Sequence, residues 1–268
     1  MRAVKMNGTG NAFLLIDGRS KPVQIDPGRI ARWAEHHTFD QVLLLGPSSK
    51  ADARYRIWNR DGGEVGACGN GARCAGWYLM REAGQTAASL DAAYGVTGVK
   101  RISPLRVSVD LGPACTGWQD IPLARNMDTV ALDFALEAGG LRIDSPGAVS
   151  MGNPHVVFEV TDLESFPVET FGPRIETDPL FPERVNAGFM QILARDRIRL
   201  RVWERGAGLT KACGTGAAAA IVAGHRKGVL DRTCTVRVDG GELKVDWQAD
   251  NHVWLEGAVE DEGELELE

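Results

Sequence analysis

The chain has 268 residues, long enough for two small domains with ample core, and 30 basic against 36 acidic residues leave a net charge of −6. There is no basic stripe, so nucleic acid is not expected as a partner, and no apolar run reaches membrane-spanning length or forms a signal sequence. Five cysteines do not suit a disulfide framework, and the five histidines share no metal-ligating spacing with them, so no metal is expected and the cytoplasm is the expected compartment.

In chain order, Gly8-Thr9-Gly10-Asn11 is a turn that leads into a strand over Phe13–Asp17. A helix is expected from Pro27 to His36, and Phe39-Asp40-Gln41 then enters a strand over Val42–Leu45. Tyr55 and Ile57 alternate with Arg54 and Arg56, the pattern of a half-buried strand. The turn Asp61-Gly62-Gly63 precedes Ala67-Cys68-Gly69-Asn70-Gly71-Ala72, which opens an alanine-rich, buried helix running to Met80. Residues Thr86 to Pro104 read as turns and short strands, Pro104 to Leu111 alternates as a strand, and Gly112-Pro113 marks a crossover.

The second half repeats this grammar. Ser150-Met151-Gly152-Asn153-Pro154-His155 leads into Val156–Glu159, and Arg184-Val185-Asn186-Ala187-Gly188 follows. Leu200 and Val202 alternate with Arg199 and Arg201, then come Gly206-Ala207-Gly208 and Ala212-Cys213-Gly214-Thr215-Gly216-Ala217, opening a helix to Ala223. Gly240-Gly241 signals a hairpin within Cys234–Val245, and Val253–Val259 is strand-like. The acidic tail (Glu260, Asp261, Glu262, Glu264, Glu266, Glu268) is expected to return to the first half, giving lobes 1–112 plus 257–268 and 113–256. Cys74, Cys115 and Cys234 are expected to be buried thiols.

At an offset of 145, Arg54–Ala75 falls on Arg199–Ala220 without a gap, and 11 of the 22 positions are identical. Unrelated segments share only one or two, so the chain carries a duplicated unit. Both copies keep the cysteine and its glycines at a helix mouth, where unpaired N–H groups and the dipole attract anions and favour a thiolate. The glycines let a ligand approach bare backbone. Asn11 and Asn153 enter matching strands, and Gln41 falls on Asn186. A lone cysteine of this kind is more often structural and a lone asparagine about evenly so, but recurrence in both halves favours a site. Two acidic thiols facing each other from related halves is the expectation.

These segments, together with Trp58-Asn59-Arg60-Asp61-Gly62, Phe181-Pro182-Glu183 and Glu204-Arg205, span nearly the whole chain in one order and resemble the diaminopimelate epimerase family. Asn7 and Ala12 stand where many members carry His and an acidic residue. The resemblance implies a mixed α/β fold of two pseudo-symmetric lobes, each a curled mixed sheet around a central helix, with the site in the cleft. It implies a homodimer acting on a small amino-acid substrate, without pyridoxal or any other cofactor: LL-diaminopimelate becomes meso-diaminopimelate, a precursor of lysine and the cell wall.

Inversion at the α-carbon suits paired bases. One of Cys68 and Cys213 removes the α-proton as thiolate while the other delivers a proton to the opposite face. Backbone N–H groups of Gly69-Asn70 and Gly214-Thr215 hold the reacting carboxylate. By resemblance, His155 and Glu204 adjust the thiols' protonation, and Asn11, Gln41, Asn59, Asn153, Asn186, Glu204 and Arg205 bind substrate, the Arg205 fork suiting its far carboxylate. A proline racemase-type enzyme is the nearest rival and needs no far-end set; a thiol redox protein needs a neighbouring cysteine pair, and a pure binding module would lack one cysteine.

Overall fold

The computed structural model describes residues 1–66 and 68–268; Ala67, first residue of the first cysteine motif, lies outside the described residues. The described chain divides into two compact units, Met1–Asp110 with Glu256–Glu268, and Leu111–Leu255. Both mix helix and strand.

Unit 1 begins with β1 (Arg2–Gly8) and β2 (Asn11–Asp17), an antiparallel hairpin whose turn holds Thr9 at φ 53 and Gly10 at φ 86. Helix α1 (Pro27–His36) starts where the sequence signals it: the Asp26 carboxylate caps the Arg29 N–H at 3.0 Å, and proline opens the first turn. Its Ile30 and Trp33 are buried in a cluster with Leu14, Ile16, Phe39, Val42 and Trp58. Strand β3 (Gln41–Gly46) pairs parallel to β2 and antiparallel to β4 (Ala53–Asn59). The short β5 (Glu64–Val65) precedes α2 (Gly69–Ala83), longer at both ends than its alanine run. Left-handed Gly84 ends α2, at φ 65.

The glycine- and serine-rich stretch after α2 is more regular than its composition suggests. It forms β6 (Ala87–Ala92), parallel to β4, and the nine-residue β7 (Gly95–Ser103), which pairs with β6 and with β8 (Arg106–Pro113). Ladder bonds to neighbouring strands, not local propensity, decide this segment.

Unit 2 repeats the ladder. A separate ribbon of β9 (Ala135–Ala138) and β10 (Leu141–Asp144) precedes β11 (Gly147–Ser150) and β12 (Pro154–Glu159). Helix α3 (Val168–Glu176) leads to β13 (Asn186–Ala194), parallel to β12, and β14 (Arg197–Glu204), antiparallel to β13. Then follow β15 (Gly208–Thr210), α4 (Gly214–Arg226), β16 (Thr233–Val238) parallel to β14, and β17 (Gly241–Trp247), joined to β16 by the Gly240-Gly241 hairpin. Strand for strand, β2–β3–β4–β6 and β12–β13–β14–β16 share the same pairing senses, and Phe13 faces Gln41 as His155 faces Asn186. β18 (His252–Ala258) crosses the unit boundary, and β19 (Glu260–Glu266) pairs antiparallel with β1.

Each cysteine helix is the buried centre of its own unit. Helix α2 packs on β1, β6 and β7, and α4 on β11, β12 and β17. Ala217 through Val222 are all fully buried, as an alanine-rich helix wrapped by sheet must be. Small residues let helix and strand backbones approach closely: a Cβ on Gly71 would stand 2.4 Å from the Tyr55 hydroxyl, one on Gly216 2.9 Å from Val202, and one on Gly76 2.4 Å from Val99. Gly71 and Gly216 thus serve helix-on-strand packing, where the sequence suggested room for a ligand.

Two further expectations are corrected. On β14 the alternation does not mark a solvent face: Arg199 is 9% exposed, and its guanidinium bonds Glu164 at 2.8 Å and Asp239. Carboxylates from two other segments cover that side. Cys115 is half-buried, because its segment meets β11 through a single bridge to Ser150, whereas Cys74 and Cys234 are buried as expected. The helix contacts give a direct test: Gly76→Ala should cost about 1–3 kcal/mol by overpacking against Val99, read as a lower urea midpoint, while Ala at the exposed surface position Glu35 leaves it unmoved.

Candidate active site

In unit 2, Cys213 is the N-cap of α4 and its side chain is buried. Its thiol donates to Glu204 Oε2 at 3.0 Å, from the end of β14. Thr210 on β15 donates to the other oxygen of that carboxylate. Thr215, in the first turn of α4, places its hydroxyl 3.7 Å from the Cys213 sulfur and 3.1 Å from His155 Nε2. That same nitrogen lies 3.1 Å from Asn153 Oδ1. Asn153, His155, Thr215, Cys213, Glu204 and Thr210 therefore form one continuous polar chain.

The electrostatics of this chain depart from the expectation of an acidic thiol. Burial pushes the Cys213 thiol well above its usual range, and the neighbouring Glu204 charge pushes it further. Hydrogen bonds from Thr215 and the Gly216 N–H oppose this more weakly. Desolvation thus outweighs the helix mouth at Cys213. Glu204 itself is raised by burial, against the hydrogen bonds from Cys213 and Thr210. His155 is fully buried, and burial, aided by the Arg205 charge, lowers it to about 3. It is a neutral hydrogen-bonding group at physiological pH, and its link to Cys213 runs through Thr215, not through direct contact.

Asn186 is nearly fully buried. It is 3% exposed; its amide donates to the Pro154 carbonyl at 2.8 Å and accepts the Arg205 N–H at 2.9 Å. It orders the turn that carries Arg205, whose exposed guanidinium reaches the Glu183 carbonyl at 2.9 Å. Glu176 stands in no motif that would single it out, yet its buried carboxylate holds the same turn from α3. It accepts the Trp203 indole N–H at 2.7 Å and the Gly206 N–H at 2.9 Å, and pairs with Arg184 at 3.5 Å. No comparison of the two halves at the offset of 145 could have found it, because Ala31 stands at that place in unit 1.

In unit 1, Cys68 is the N-cap of α2, and its sulfur accepts the Gly71 N–H at 3.4 Å. Tyr55 on β4 donates its hydroxyl to the Cys68 carbonyl at 3.3 Å. Asn70, 2% exposed, donates to Asn11 Oδ1 at 2.6 Å. Asn70 and Thr215 occupy the same place in the repeat, so each helix mouth is tied to its own strand-entry asparagine, directly in unit 1 and through His155 in unit 2. Gln41 donates to Asn59 Oδ1 at 2.8 Å on neighbouring strands. Gly69 and Gly214 open their helices beside the cysteines. Among the described residues no cluster of His, Cys, Asp and Glu could hold a metal ion.

A mixed α/β scaffold is built twice, with a cysteine capping the buried helix of each copy, and the sequence comparisons assign this arrangement to an isomerase of the epimerase class. The sequence profile of diaminopimelate epimerase matches residues 3–115 and 147–264. The diaminopimelate epimerase of Phenylobacterium zucineum is 51% identical over 98% of this chain and 96% of its own, and that of Acidiphilium cryptum 46% identical over 98% and 95%. A Pseudomonas aeruginosa structure described as a predicted epimerase shares the fold, with a TM-score of 0.73 at 18% identity over 99% of this chain and 98% of its own. This chain belongs to the diaminopimelate epimerase family.

The depressed His155 has a consequence for stability. The unfolded chain takes up a proton near pH 6.5 that the folded chain refuses until about pH 3, so stability is full above about 6.5 and falls as pH drops. The slope approaches about 1.4 kcal/mol per pH unit. Urea midpoints of His155→Gln between pH 6.5 and 4 should fall less steeply than those of the wild type; parallel slopes count against a neutral buried imidazole.

Proposed function

We propose that the protein epimerises LL-2,6-diaminopimelate to meso-diaminopimelate by a two-base reaction of Cys68 and Cys213, without pyridoxal. The α-proton of an amino acid is very weakly acidic, and a carboxylate bound at a helix mouth is stabilised as charge builds on it. One sulfur takes the α-proton as thiolate. The other, as thiol, gives its proton to the opposite face, so that each turnover exchanges the protonation states of the pair.

The observation that supports this reading most strongly is the repetition itself: two related units each cap a buried helix with cysteine. They differ in what surrounds the sulfur. Cys213 donates to a carboxylate and is held as thiol, the state required of the proton donor in one direction. Cys68 accepts an N–H, the bond that a thiolate strengthens. Arg205, exposed at the end of its ordered turn, suits the far carboxylate of a diamino diacid, and a compact ring such as proline has no such group to offer it. Asn11, Gln41, Asn59, Asn153, Glu204, and the N–H groups of Gly69, Asn70, Gly214 and Thr215 complete the proposed substrate set. Asn186 contributes through the turn it orders.

The curated relatives are named diaminopimelate epimerases over nearly their whole length, which supports the substrate assignment and a place in lysine biosynthesis. The reading extends to a homodimer in the cytoplasm, in line with the family resemblance; among the described residues no helix is long and apolar enough to cross a membrane.

Incubation with LL-diaminopimelate in heavy water, in protein freed of pyridoxal, should give meso product carrying deuterium at the α-carbon. Cys68→Ala and Cys213→Ala should each lower kcat/KM by at least about a thousandfold, the scale of losing an acid–base group. Full turnover by either variant sinks the two-base scheme, and turnover of proline in preference to diaminopimelate moves the protein to the rival class.

A further inference from the structure

The most anomalous side chain in the molecule is Arg73, in the second turn of α2. Its residue is 0% exposed, yet no carboxylate bonds it among the described residues. One guanidinium N–H₂, Nη2, donates to the Thr9 hydroxyl at 2.9 Å. Nε and Nη1 are buried with no hydrogen-bond partner. A buried cation that leaves donors unmade is strongly destabilising unless something compensates it.

Two features of its surroundings bear on what that is. The first is mechanical. Thr9 belongs to the strained Gly8–Asn11 turn, and a Cβ on Gly8 would stand 3.0 Å from the Asn70 carbonyl and 3.1 Å from the Cys74 sulfur, so this turn lies hard against the first turns of α2. Arg73 to Thr9 and Asn70 to Asn11 are two side-chain ties between the helix mouth and that turn.

The second is electrostatic. The groups coupled to the guanidinium are the Cys74 and Cys68 sulfurs, the like charge of Arg106 on β8, and the Tyr55 hydroxyl on β4. Arg106 is paired with Glu256 at 2.7 Å. Cys74 is pushed up to about 12 by burial, with Glu260 of β19 adding to it, and Tyr55 is driven well above its usual value. Tyr94, from the turn between β6 and β7, is also coupled electrostatically to Cys68, but it is 46% exposed. Of the groups around Arg73 that can become anionic, Cys68 alone sits at a helix mouth with an N–H donated to its sulfur.

We propose that Arg73 is a positioning residue for Cys68: its guanidinium latches the Gly8–Asn11 turn to the mouth of α2 and supplies the fixed positive charge against which the Cys68 sulfur is held as thiolate. Burial lowers Arg73 only to about 10, so it stays charged wherever the enzyme works. The repeat sharpens the assignment. Ala218 stands in the place of Arg73, and Glu204 lies beside Cys213 instead, so the two sulfurs meet fields of opposite sign. The inference deepens the proposed reaction and rests on Cys68 being one of its bases.

The test reads the thiols without substrate: iodoacetamide alkylation of the full-length protein across pH, quantified peptide by peptide, with Cys213 as internal reference. In the wild type, the Cys68 midpoint should lie below the ordinary thiol value of about 8.5 and below that of Cys213. Arg73→Gln, which can still donate to Thr9, should raise the Cys68 midpoint by about one unit and slow its alkylation at pH 7 roughly tenfold, leaving Cys213 unmoved. Arg73→Lys should stay close to the wild type, as should Thr9→Val, which cuts the latch but keeps the charge. An unmoved Cys68 in folded Arg73→Gln, or an equal shift in Thr9→Val, overturns the proposal. If no variant folds, a wild-type Cys68 midpoint at or above the ordinary thiol value overturns it. Because no turnover is measured, loss of the substrate assignment and loss of the Arg73 role are separate results.

Discussion

The structure depends on how closely a helix can lie against a sheet. In each unit a buried helix begins at a cysteine and rests its first turn on the long strand two elements before it in sequence, and glycine makes the contact shorter than any side chain permits. Gly71 meets Tyr55 on β4, and Gly216 meets Val202 on β14. With that contact fixed, the cysteine has no freedom: it is the N-cap, and its sulfur lies among the first N–H groups of the helix. The strand ladder, the asparagine at the strand entry and the turn after the strand all converge on the same helix mouth.

On this common frame the two halves carry different chemistry. Around Cys213 the side chains are a carboxylate, two threonines and a histidine kept neutral by burial, and the thiol holds its proton. At the mouth of α2 a tyrosine bonds the Cys68 carbonyl, and an amide and a buried arginine of the first two turns bond the Gly8–Asn11 turn. A reaction that takes a proton on one face and gives one on the other needs an acid and a base at the same moment, and identical halves would compete for one protonation state. The halves diverge at a few positions, Asn59 against Glu204 and Arg73 against Ala218 among them, and in the proposed reaction this divergence supplies the asymmetry that the duplicated backbone lacks.

Much of the polar network of unit 2 holds a single turn. Asn186 and Glu176 spend their bonds on the turn between β14 and β15, and Trp203 lies flat enough on α3 that a Cβ on Gly172 would stand 2.4 Å from its ring. Such a turn, held from two sides, keeps Arg205 and Glu204 at a fixed spacing. Pre-ordering of this kind removes entropy that binding would otherwise have to supply.

The sequence by itself determined the duplication, the order of strand, glycine turn and cysteine helix, and the identity of the residues at each helix mouth, because period-two alternation, alanine runs and glycine spacing are local signals and the offset of 145 is arithmetic. It also delimited α1, from Pro27 to His36. Tertiary structure alone decided the strands β6 and β7, whose bonds come from other segments, and the burial of Arg199, whose carboxylate partners arrive from Glu164 and Asp239. It decided too that the Cys213 helix mouth favours a thiol, since desolvation and the Glu204 charge depend on what surrounds the sulfur in space. Local pattern fixes which residues meet their neighbours along the chain; the charge state of a sulfur is set by neighbours that only folding brings to it.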